Sequence, residues 1–153
     1  MPLPLAAGAE PVCMQVAGLC WRAVDDRVEV LLITSRDTGR WIIPKGWPMK
    51  GLSDAAAALR EAYEEAGVQG AVVSDPVGHF HYVKVMDAEH GLPCGVAVYA
   101  IRVKQLREKF PENDQRQRKW FAPARAALKV DEPELRALLR RFDPLGLAPR
   151  DAG

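Results

Sequence analysis

The chain has 153 residues, of which 48% are hydrophobic and 27% are charged. This length is sufficient for one domain with a substantial core. With a formal net charge of +1, no overall field favours nucleic acid or membrane surfaces as partners, so a polyanionic ligand must meet a local cluster of charge. No stretch approaches the ~18 consecutive apolar residues of a membrane span.

The cysteines and the start of the chain bear on the compartment. Cys13, Cys20 and Cys94 are odd in number and form no CxxC pair, which is typical neither of a disulfide framework nor of a zinc site. They predict buried free thiols in a reducing compartment. The first residues lack the basic start and the unbroken apolar run of a secretory signal. We therefore expect a cytoplasmic protein.

The first half of the chain is predicted to contain a hairpin. Residues 1–11 are rich in Pro and Ala and are expected to form a flexible arm. The apolar, β-branched runs VCMQVAGLCWRAV and VEVLLITSR then flank DDR, which is a hairpin signal. A short run, RWIIP, leads into the loop KGWPMKGLS, where glycine and proline interrupt regular structure.

A helix is predicted between Ser53, a favourable N-cap residue, and Gly67, a favourable helix stop. Two strand-like runs follow, GAVVSDPVGHFHYVKVM and CGVAVYAIRVKQL, and then RKWF as a short strand. The last element, DEPELRALLRRF, carries leucines at helical spacing. Strands, a helix, further strands and a closing helix indicate a mixed sheet with helices packed on its faces. One domain over 12–145 and a flexible tail over 146–153 complete the prediction.

The central helix carries Glu61, Glu64 and Glu65 on a segment packed with alanine. A helical wheel places Leu52 and Ala62 on the buried face and the glutamates on the opposite side. A simple explanation is a solvated face on which Arg60 pairs with Glu64. Three crowded carboxylates nevertheless repel one another, and a hard divalent cation such as Mg²⁺ would relieve that repulsion.

The loop before the helix favours the second explanation. PKGWPMKG contains two glycines, whose backbone can approach a ligand closely, and two lysines that can contact phosphate. Loop and helix together resemble the Nudix box, G-x5-E-x7-R-E-U-x-E-E-x-G-U with U aliphatic. The matching residues are Gly46, Arg60, Glu61, Glu64, Glu65, Gly67 and Val68.

The resemblance implies an α+β fold, the Nudix-type α/β/α sandwich with a mixed β-sheet, and hydrolysis of a phosphoanhydride bond. It implies that Glu61 and Glu65 bind Mg²⁺ or Mn²⁺, while Glu64 binds metal or acts as the base that activates water. It also implies that Gly46 offers its backbone carbonyl to the metal and that Arg60 orients the glutamates.

One position departs from the box, because Leu52 stands where the family has its first glutamate. That glutamate usually supports the loop in the family, so the resemblance implies that activity survives. Since Leu52 falls on the buried face of the wheel, we expect it to have a structural role. A non-catalytic member that senses a nucleotide or an inositol phosphate is the alternative.

Segments outside the box resemble the branch that cleaves diphosphoinositol polyphosphates and diadenosine polyphosphates. These are Ser35-Arg36, the run WIIP over 41–44, and KWF over 119–121. Tyr82 lies beyond the box, roughly where diadenosine polyphosphate enzymes of the family tend to place a tyrosine. ADP-ribose-type compounds and 5′-triphosphate RNA are further alternatives, although the near-zero net charge argues against RNA.

Charge outside the box is consistent with a polyphosphorylated small molecule as the substrate. The residues expected to bind it are Ser35, Arg36, Lys45, Arg116 and Arg118. Arg116 and Arg118 alternate, so in an extended segment they point the same way, and their forked guanidinium groups suit phosphate. A purely structural explanation is that Glu108, Glu112 and Asp114 pair with them. The oligomeric state, monomer or homodimer, is left open.

Overall fold

The computed structural model describes residues 13–146. The predicted arm over 1–11, and the predicted tail apart from Gly146, lie outside these residues. The strands are β1 (Cys13–Val24), β2 (Arg27–Thr34), β3 (Trp41–Ile42), β4 (Lys45–Gly46), β5 (Val68–Val72), β6 (Gly78–Val85), β7 (Gly91–Leu106) and β8 (Arg118–Phe121). The helices are α1 (Asp54–Ala66), α2 (Pro123–Lys129) and α3 (Pro133–Arg141).

The strands form one eight-stranded mixed sheet. Its main order is β3-β2-β1-β7-β5, with β4 beside β1, β6 beside β7 and β8 beside β2. Strands β1 and β7 are parallel, whereas the other pairs within residues 13–146 are antiparallel. Helix α1 covers one face, and α2 and α3 cover the other. The predicted α/β/α sandwich is confirmed.

The predicted strand over GAVVSDPVGHFHYVKVM is interrupted. Strands β5 and β6 follow each other along the same edge of β7, and residues 73–77 separate them. Pro76 has no backbone N–H to donate to a ladder, which accounts for the break. Val73 and Val77 still donate backbone hydrogen bonds to the carbonyls of Ala100 and Val98. The two strands therefore continue each other along one edge of β7, with a bend between them.

The alanines of α1 allow the helix to lie close against the sheet. Ala58, Ala62 and Ala66 are fully buried. Opposite them, a Cβ added to Gly18 of β1 would lie 2.7 Å from Ile101 Cδ1 and 3.5 Å from Ala62 Cβ. Small residues on both sides permit this approach, since side chains set the distance between packed elements. The composition of the helix thus fixes how near its carboxylates come to the strands.

The ends of α1 match their predicted signals. The Ser53 hydroxyl accepts a hydrogen bond from the backbone N–H of Ala56 at 3.1 Å. Gly67 adopts the left-handed conformation with φ of 70°. Leu52, in contrast, is 45% exposed. Its predicted place on the buried face is wrong because it precedes the N-cap and does not follow the helical wheel.

The prediction of three free cysteines is wrong for two of them. Cys13 and Cys94 occupy paired positions of the parallel strands β1 and β7 and form a disulfide. Cys20 alone is a free thiol within residues 13–146, and it is buried. An odd cysteine count gave no sign that the sheet register would place two of them side by side. The cysteines no longer favour a reducing compartment, and the cytoplasmic location stays a prediction.

Within residues 13–146, no helix is both long enough and apolar enough to cross a membrane.

We expect one reactive thiol per chain in protein purified without reductant, because only Cys20 is unpaired. Alkylation under denaturing conditions followed by mass spectrometry counts the thiols, and a sample reduced beforehand should give three. Three labelled cysteines in the unreduced sample would contradict the Cys13–Cys94 pairing.

Gly67→Ala should destabilise the fold much more than Gly51→Ala. Both glycines have positive φ, so both substitutions cost about 1–2 kcal/mol in backbone conformation. Only at Gly67 would a Cβ also meet neighbours, Phe110 Cδ1 at 2.6 Å and the Arg107 carbonyl oxygen at 2.7 Å. Overpacking adds about 1–3 kcal/mol. Urea unfolding measures the difference, and equal losses in the two variants would contradict close packing at this helix end.

Candidate active site

The carboxylates of Glu61 and Glu65 lie one turn apart on α1 and are hydrogen-bonded to each other. Glu65 is only 4% exposed, and Glu61 is partly buried. The prediction that the glutamates form an exposed face opposite the core is therefore wrong for Glu65. Arg116 and the backbone of Glu112, in the segment before β8, and Gly46 of β4 contact this side of the helix as well. A buried acidic side chain, Glu65, is consequently hydrogen-bonded to a partly buried one, Glu61.

Strand β4 brings Gly46 directly against this pair. Gly46 is paired with Val16 of β1, on the side of the sheet that α1 covers. A Cβ at position 46 would lie 2.3–2.6 Å from the carboxyl atoms of Glu61. A side chain at this position would displace the Glu61 carboxylate from its place, whereas glycine leaves room for it. The structure thus places Gly46 beside Glu61, and the prediction that both bind a metal ion stays a prediction.

Arg116 closes the buried end of the pair. Its NH2 nitrogen lies 3.4 Å from Glu65 Oε1, and its Nε donates to Glu112 Oε1 at 2.9 Å. Its NH1 nitrogen donates to the backbone carbonyl of Thr34 at 3.1 Å. The side chain is only 8% exposed. Arg116 therefore acts first on the protein's own carboxylates, which limits its predicted role in binding substrate.

Glu112 is a site residue that the sequence suggested only as an ion-pair partner. Its backbone N–H donates to the Glu64 carbonyl at 3.0 Å, which ties the loop before β8 to the end of α1. Its carboxylate pairs with Arg116 and lies 3.7 Å from Arg36. The i,i+4 spacing to Arg116 was the available signal, and only the fold shows that both residues face α1.

Burial is the main cause of the raised pKa values of Glu61 and Glu65. It raises the pKa of Glu65 to about 9, and the hydrogen bond to Glu61 adds to the effect, while Arg116 opposes it. Burial also raises the pKa of Glu61. With a pKa of about 9, Glu65 keeps its proton at neutral pH and donates a hydrogen bond to the Glu61 carboxyl group. The pair thus retains a proton, and a bound cation could take its place and neutralise both carboxylates.

Glu64 lies at the outer edge of the same site. Its Oε1 accepts a hydrogen bond from Arg60 Nε at 3.1 Å, and both side chains are accessible to solvent. This contact is the predicted pairing of Arg60 with a glutamate. An accessible carboxylate held by an arginine can bind a ligand or take a proton from water.

Ser35 and Arg36 line a depression of about 420 Å³ beside Arg116. The Ser35 hydroxyl is hydrogen-bonded to that of Thr38 at 2.6 Å, and Arg36 NH1 donates to Gln115 Oε1 at 3.2 Å. The Arg36 side chain is 56% exposed. The structure therefore brings these two predicted substrate-binding residues to the edge of the carboxylate site.

Arg118 has a different environment from the one predicted for a substrate-binding residue. It points to the α1 side, as its alternation with Arg116 indicated, but its NH1 nitrogen donates to the carbonyls of Ala66 and Arg107, each at 2.9 Å. These bonds satisfy the C-terminal end of α1. We assign Arg118 to the stability of this helix end.

Lys45 approaches the site from the other face of the sheet. It pairs with Ala17, whose side chain belongs to the core under α2 and α3. Its Nζ lies 5.0 Å from the centre of the Tyr82 ring. Burial lowers the pKa of Lys45, and the charge of Glu65 opposes that shift. Lys45 is thus within the electrostatic influence of Glu65, and its predicted contact with substrate phosphate stays a prediction.

Within residues 13–146, no three Asp, Glu, His or Cys side chains converge closely enough to hold a metal ion as they stand.

Comparisons with known proteins agree with this geometry. Residues 15–142 match the NUDIX domain. Nudix hydrolase 16, mitochondrial, of Arabidopsis thaliana is 32% identical over 119 residues, covering 75% of this chain and 66% of the relative. Human diphosphoinositol polyphosphate phosphohydrolase 3-alpha is 33% identical over 109 residues, covering 70% and 62%. The crystal structure of C. elegans Ap4A hydrolase aligns with a TM-score of 0.60 at 22% identity, covering 84% and 94%.

The chain belongs to the Nudix family. It spans between 50% and 66% of the length of three Arabidopsis relatives that it matches, two of which are named as mitochondrial and one as chloroplastic. Because the sequence identity to the solved Ap4A hydrolase is low, this similarity supports the fold alone.

In metal-free buffer, Glu65→Gln should flatten the decline of stability with pH. The folded-state pKa of Glu65 is raised from 4.5 to about 9, so the folded protein keeps a proton that the unfolded chain releases. The contribution of Glu65 to the free energy of unfolding is therefore fully present below about pH 4.5 and is lost as the pH rises towards 9. A neutral glutamine removes this loss, and we expect the variant to be stabilised by about 1–2 kcal/mol at the alkaline end.

The measurement is urea unfolding with EDTA between pH 6 and 9. Glu64→Gln is the matched control, because Glu64 is one residue away but accessible, and its variant should retain the slope of the parent. An unchanged slope in Glu65→Gln would show that the pair is not buried and coupled in solution.

Proposed function

We propose that this protein is a pyrophosphohydrolase that uses Mg²⁺ or Mn²⁺ to cleave a phosphoanhydride bond in a polyphosphorylated small molecule. The observation that carries the proposal is the buried Glu61–Glu65 pair, held against Gly46 on one side and Arg116 on the other. Membership of the Nudix family and the hydrolase names of several relatives support the same activity.

The residues present fit a divalent cation. The Glu61–Glu65 pair retains a proton at neutral pH because too little positive charge surrounds the two carboxyl groups. A divalent cation could replace that proton. Carboxylate and carbonyl oxygens are the ligands that Mg²⁺ and Mn²⁺ prefer. Glu61 and Glu65 would hold the ion, with the Gly46 carbonyl and Glu64 as further donors. When bound, the ion neutralises phosphate charge and polarises the bond to be broken.

The chain's own groups account for the other requirements of the reaction. Glu64, held by Arg60, would accept a proton from the water whose oxygen attacks phosphorus as the anhydride bond breaks. Arg116 favours the ionised form of Glu65, because its positive charge opposes the effect of burial. Arg36 and Ser35 would bind an outer phosphate in the adjoining depression.

A non-catalytic sensor is the second candidate. Leu52 stands where the Nudix box has a glutamate, and it is exposed beside the loop that precedes α1. One acidic group is therefore missing from the region where a ligand would bind.

The test is release of phosphate or nucleotide from a panel of compounds with Mg²⁺ and then Mn²⁺. The panel contains diadenosine polyphosphates, diphosphoinositol polyphosphates, ADP-ribose and 5′-triphosphate RNA. We expect metal-dependent cleavage of at least one small molecule. Glu64→Gln should lower kcat about 10²–10⁴-fold, as removal of a general base does.

Near-full activity of Glu64→Gln on every cleaved compound would show that Glu64 is not the base. Tight binding of one compound without cleavage would favour the sensor, and Leu52→Glu would then test whether the missing carboxylate restores turnover. Cleavage of RNA and of no other compound would show that the substrate is RNA and not a small molecule.

A further inference from the structure

A depression of about 410 Å³ lies between the C-terminal end of α3 and the sheet, away from the buried carboxylate pair. Its lining includes Trp21, Val77, Ala100 and Phe142. Trp21 and Ala100 belong to the core under α2 and α3, so the depression is on the face of the sheet that α1 does not cover. Its volume is within the range of small-molecule sites. We refer to it as the α3 depression.

The bend between β5 and β6 provides one wall of the α3 depression. Val73 and Val77, at the two ends of this bend, line the depression and are 55% and 38% exposed. Ala100 and Trp21, which also line it, are buried. Because the side chain of Ala100 is short, it leaves space that a larger residue would fill. The depression therefore combines a buried apolar floor with apolar walls that a ligand can cover.

Two guanidinium groups lie at the margin of the α3 depression. Arg141 lines it, and its Nη2 nitrogen lies 3.3 Å from the place where Gly78 would carry a Cβ. The guanidinium carbon of Arg102 lies over the Trp21 ring, 5.0 Å from the ring centre. Both arginines are exposed, and neither forms an ion pair with another residue of 13–146.

The charges at this margin suit a ligand with a single negative charge. Asp143 contributes the one carboxylate among the described residues that line the depression. The two guanidinium groups of Arg102 and Arg141 outnumber it by one. A guanidinium group binds a carboxylate through two parallel hydrogen bonds, so one carboxylate on a ligand would match this excess. Apolar walls with a few polar groups at the margin are the usual composition of a small-molecule site.

We propose that the α3 depression binds a compact apolar molecule that carries one carboxylate, with the apolar part against Trp21, Val77 and Phe142 and the carboxylate on Arg141. The site is separate from the carboxylate pair, so this inference does not depend on the proposed function. Burial of the apolar part supplies most of the affinity, because an exposed ion pair contributes little. Arg141 selects the charge of the ligand.

The test uses three probes: 4-phenylbutyrate, its neutral analogue 4-phenylbutan-1-ol, and butyrate, which lacks the ring. Each is titrated into the ¹⁵N-labelled full chain in metal-free buffer, where amide chemical shifts report both affinity and place of binding. We expect 4-phenylbutyrate to shift the amide signals of 73–78 and 138–143 and to leave those of 61–65 unchanged. The alcohol should bind about threefold more weakly, and butyrate at least about tenfold more weakly.

Substitutions on α3 separate the role of Arg141 from a general effect of charge. Arg141→Gln should weaken the binding of 4-phenylbutyrate about threefold and leave that of the alcohol unchanged. Added salt should likewise weaken the carboxylate alone. Arg141→Lys keeps the charge and should recover part of the affinity. Arg140→Gln is the matched control, because Arg140 is exposed on the same helix and does not line the depression.

The inference is overturned if 4-phenylbutyrate leaves the signals of 73–78 and 138–143 unchanged, whether because it does not bind or because another part of the chain fills the depression. It is also overturned if the alcohol binds as tightly as the carboxylate, or if Arg141→Gln and Arg140→Gln have equal effects. Shifts confined to the surroundings of Arg36 and Arg116 would place the carboxylate in the candidate active site and contradict a second site.

Discussion

The site depends on the burial of two carboxylates one helical turn apart. A buried acidic pair is costly unless charges or hydrogen bonds compensate it. Here the hydrogen bond between Glu61 and Glu65 and the guanidinium of Arg116 provide that compensation. The alanines of α1 and Gly18 of β1 let the helix approach the sheet, and Gly46 leaves the room that Glu61 occupies. The small size of each of these residues is explained by the space that Glu61 and Glu65 occupy.

The arginines near the site fall into two groups, those bound to groups of α1 and those accessible to a ligand. Arg116 and Arg118 are fully engaged in holding α1, one through its carboxylates and the other through its terminal carbonyls. Arg36 is half-exposed and faces the depression beside Ser35. A count of basic residues near the box therefore overstates the charge that a ligand encounters. What matters is which guanidinium groups stay accessible to solvent after folding.

Much of this could be predicted from the sequence. Short-range chemistry identified the caps of α1 and the hairpin, whereas the candidate site residues on α1 came from the resemblance to the Nudix box. Long-range register was beyond such reasoning. The pairing of Cys13 with Cys94, the contact of Glu112 with Arg116 behind α1, and the approach of Lys45 to Tyr82 each join segments distant in the chain. Leu52 and Glu65 were misplaced because a helical wheel describes one helix and ignores the loops and strands around it.

The disulfide between β1 and β7 has a topological consequence. It closes a covalent ring over a sequence separation of 81 residues, and this ring contains Gly46 and every glutamate of α1. Arg116 and the helices of the other face lie outside it. A protease that cut one exposed loop within the ring, for example near Gly51, would leave both pieces joined through sulfur. Such a nicked protein would keep its mass under non-reducing electrophoresis and separate into two fragments once reduced.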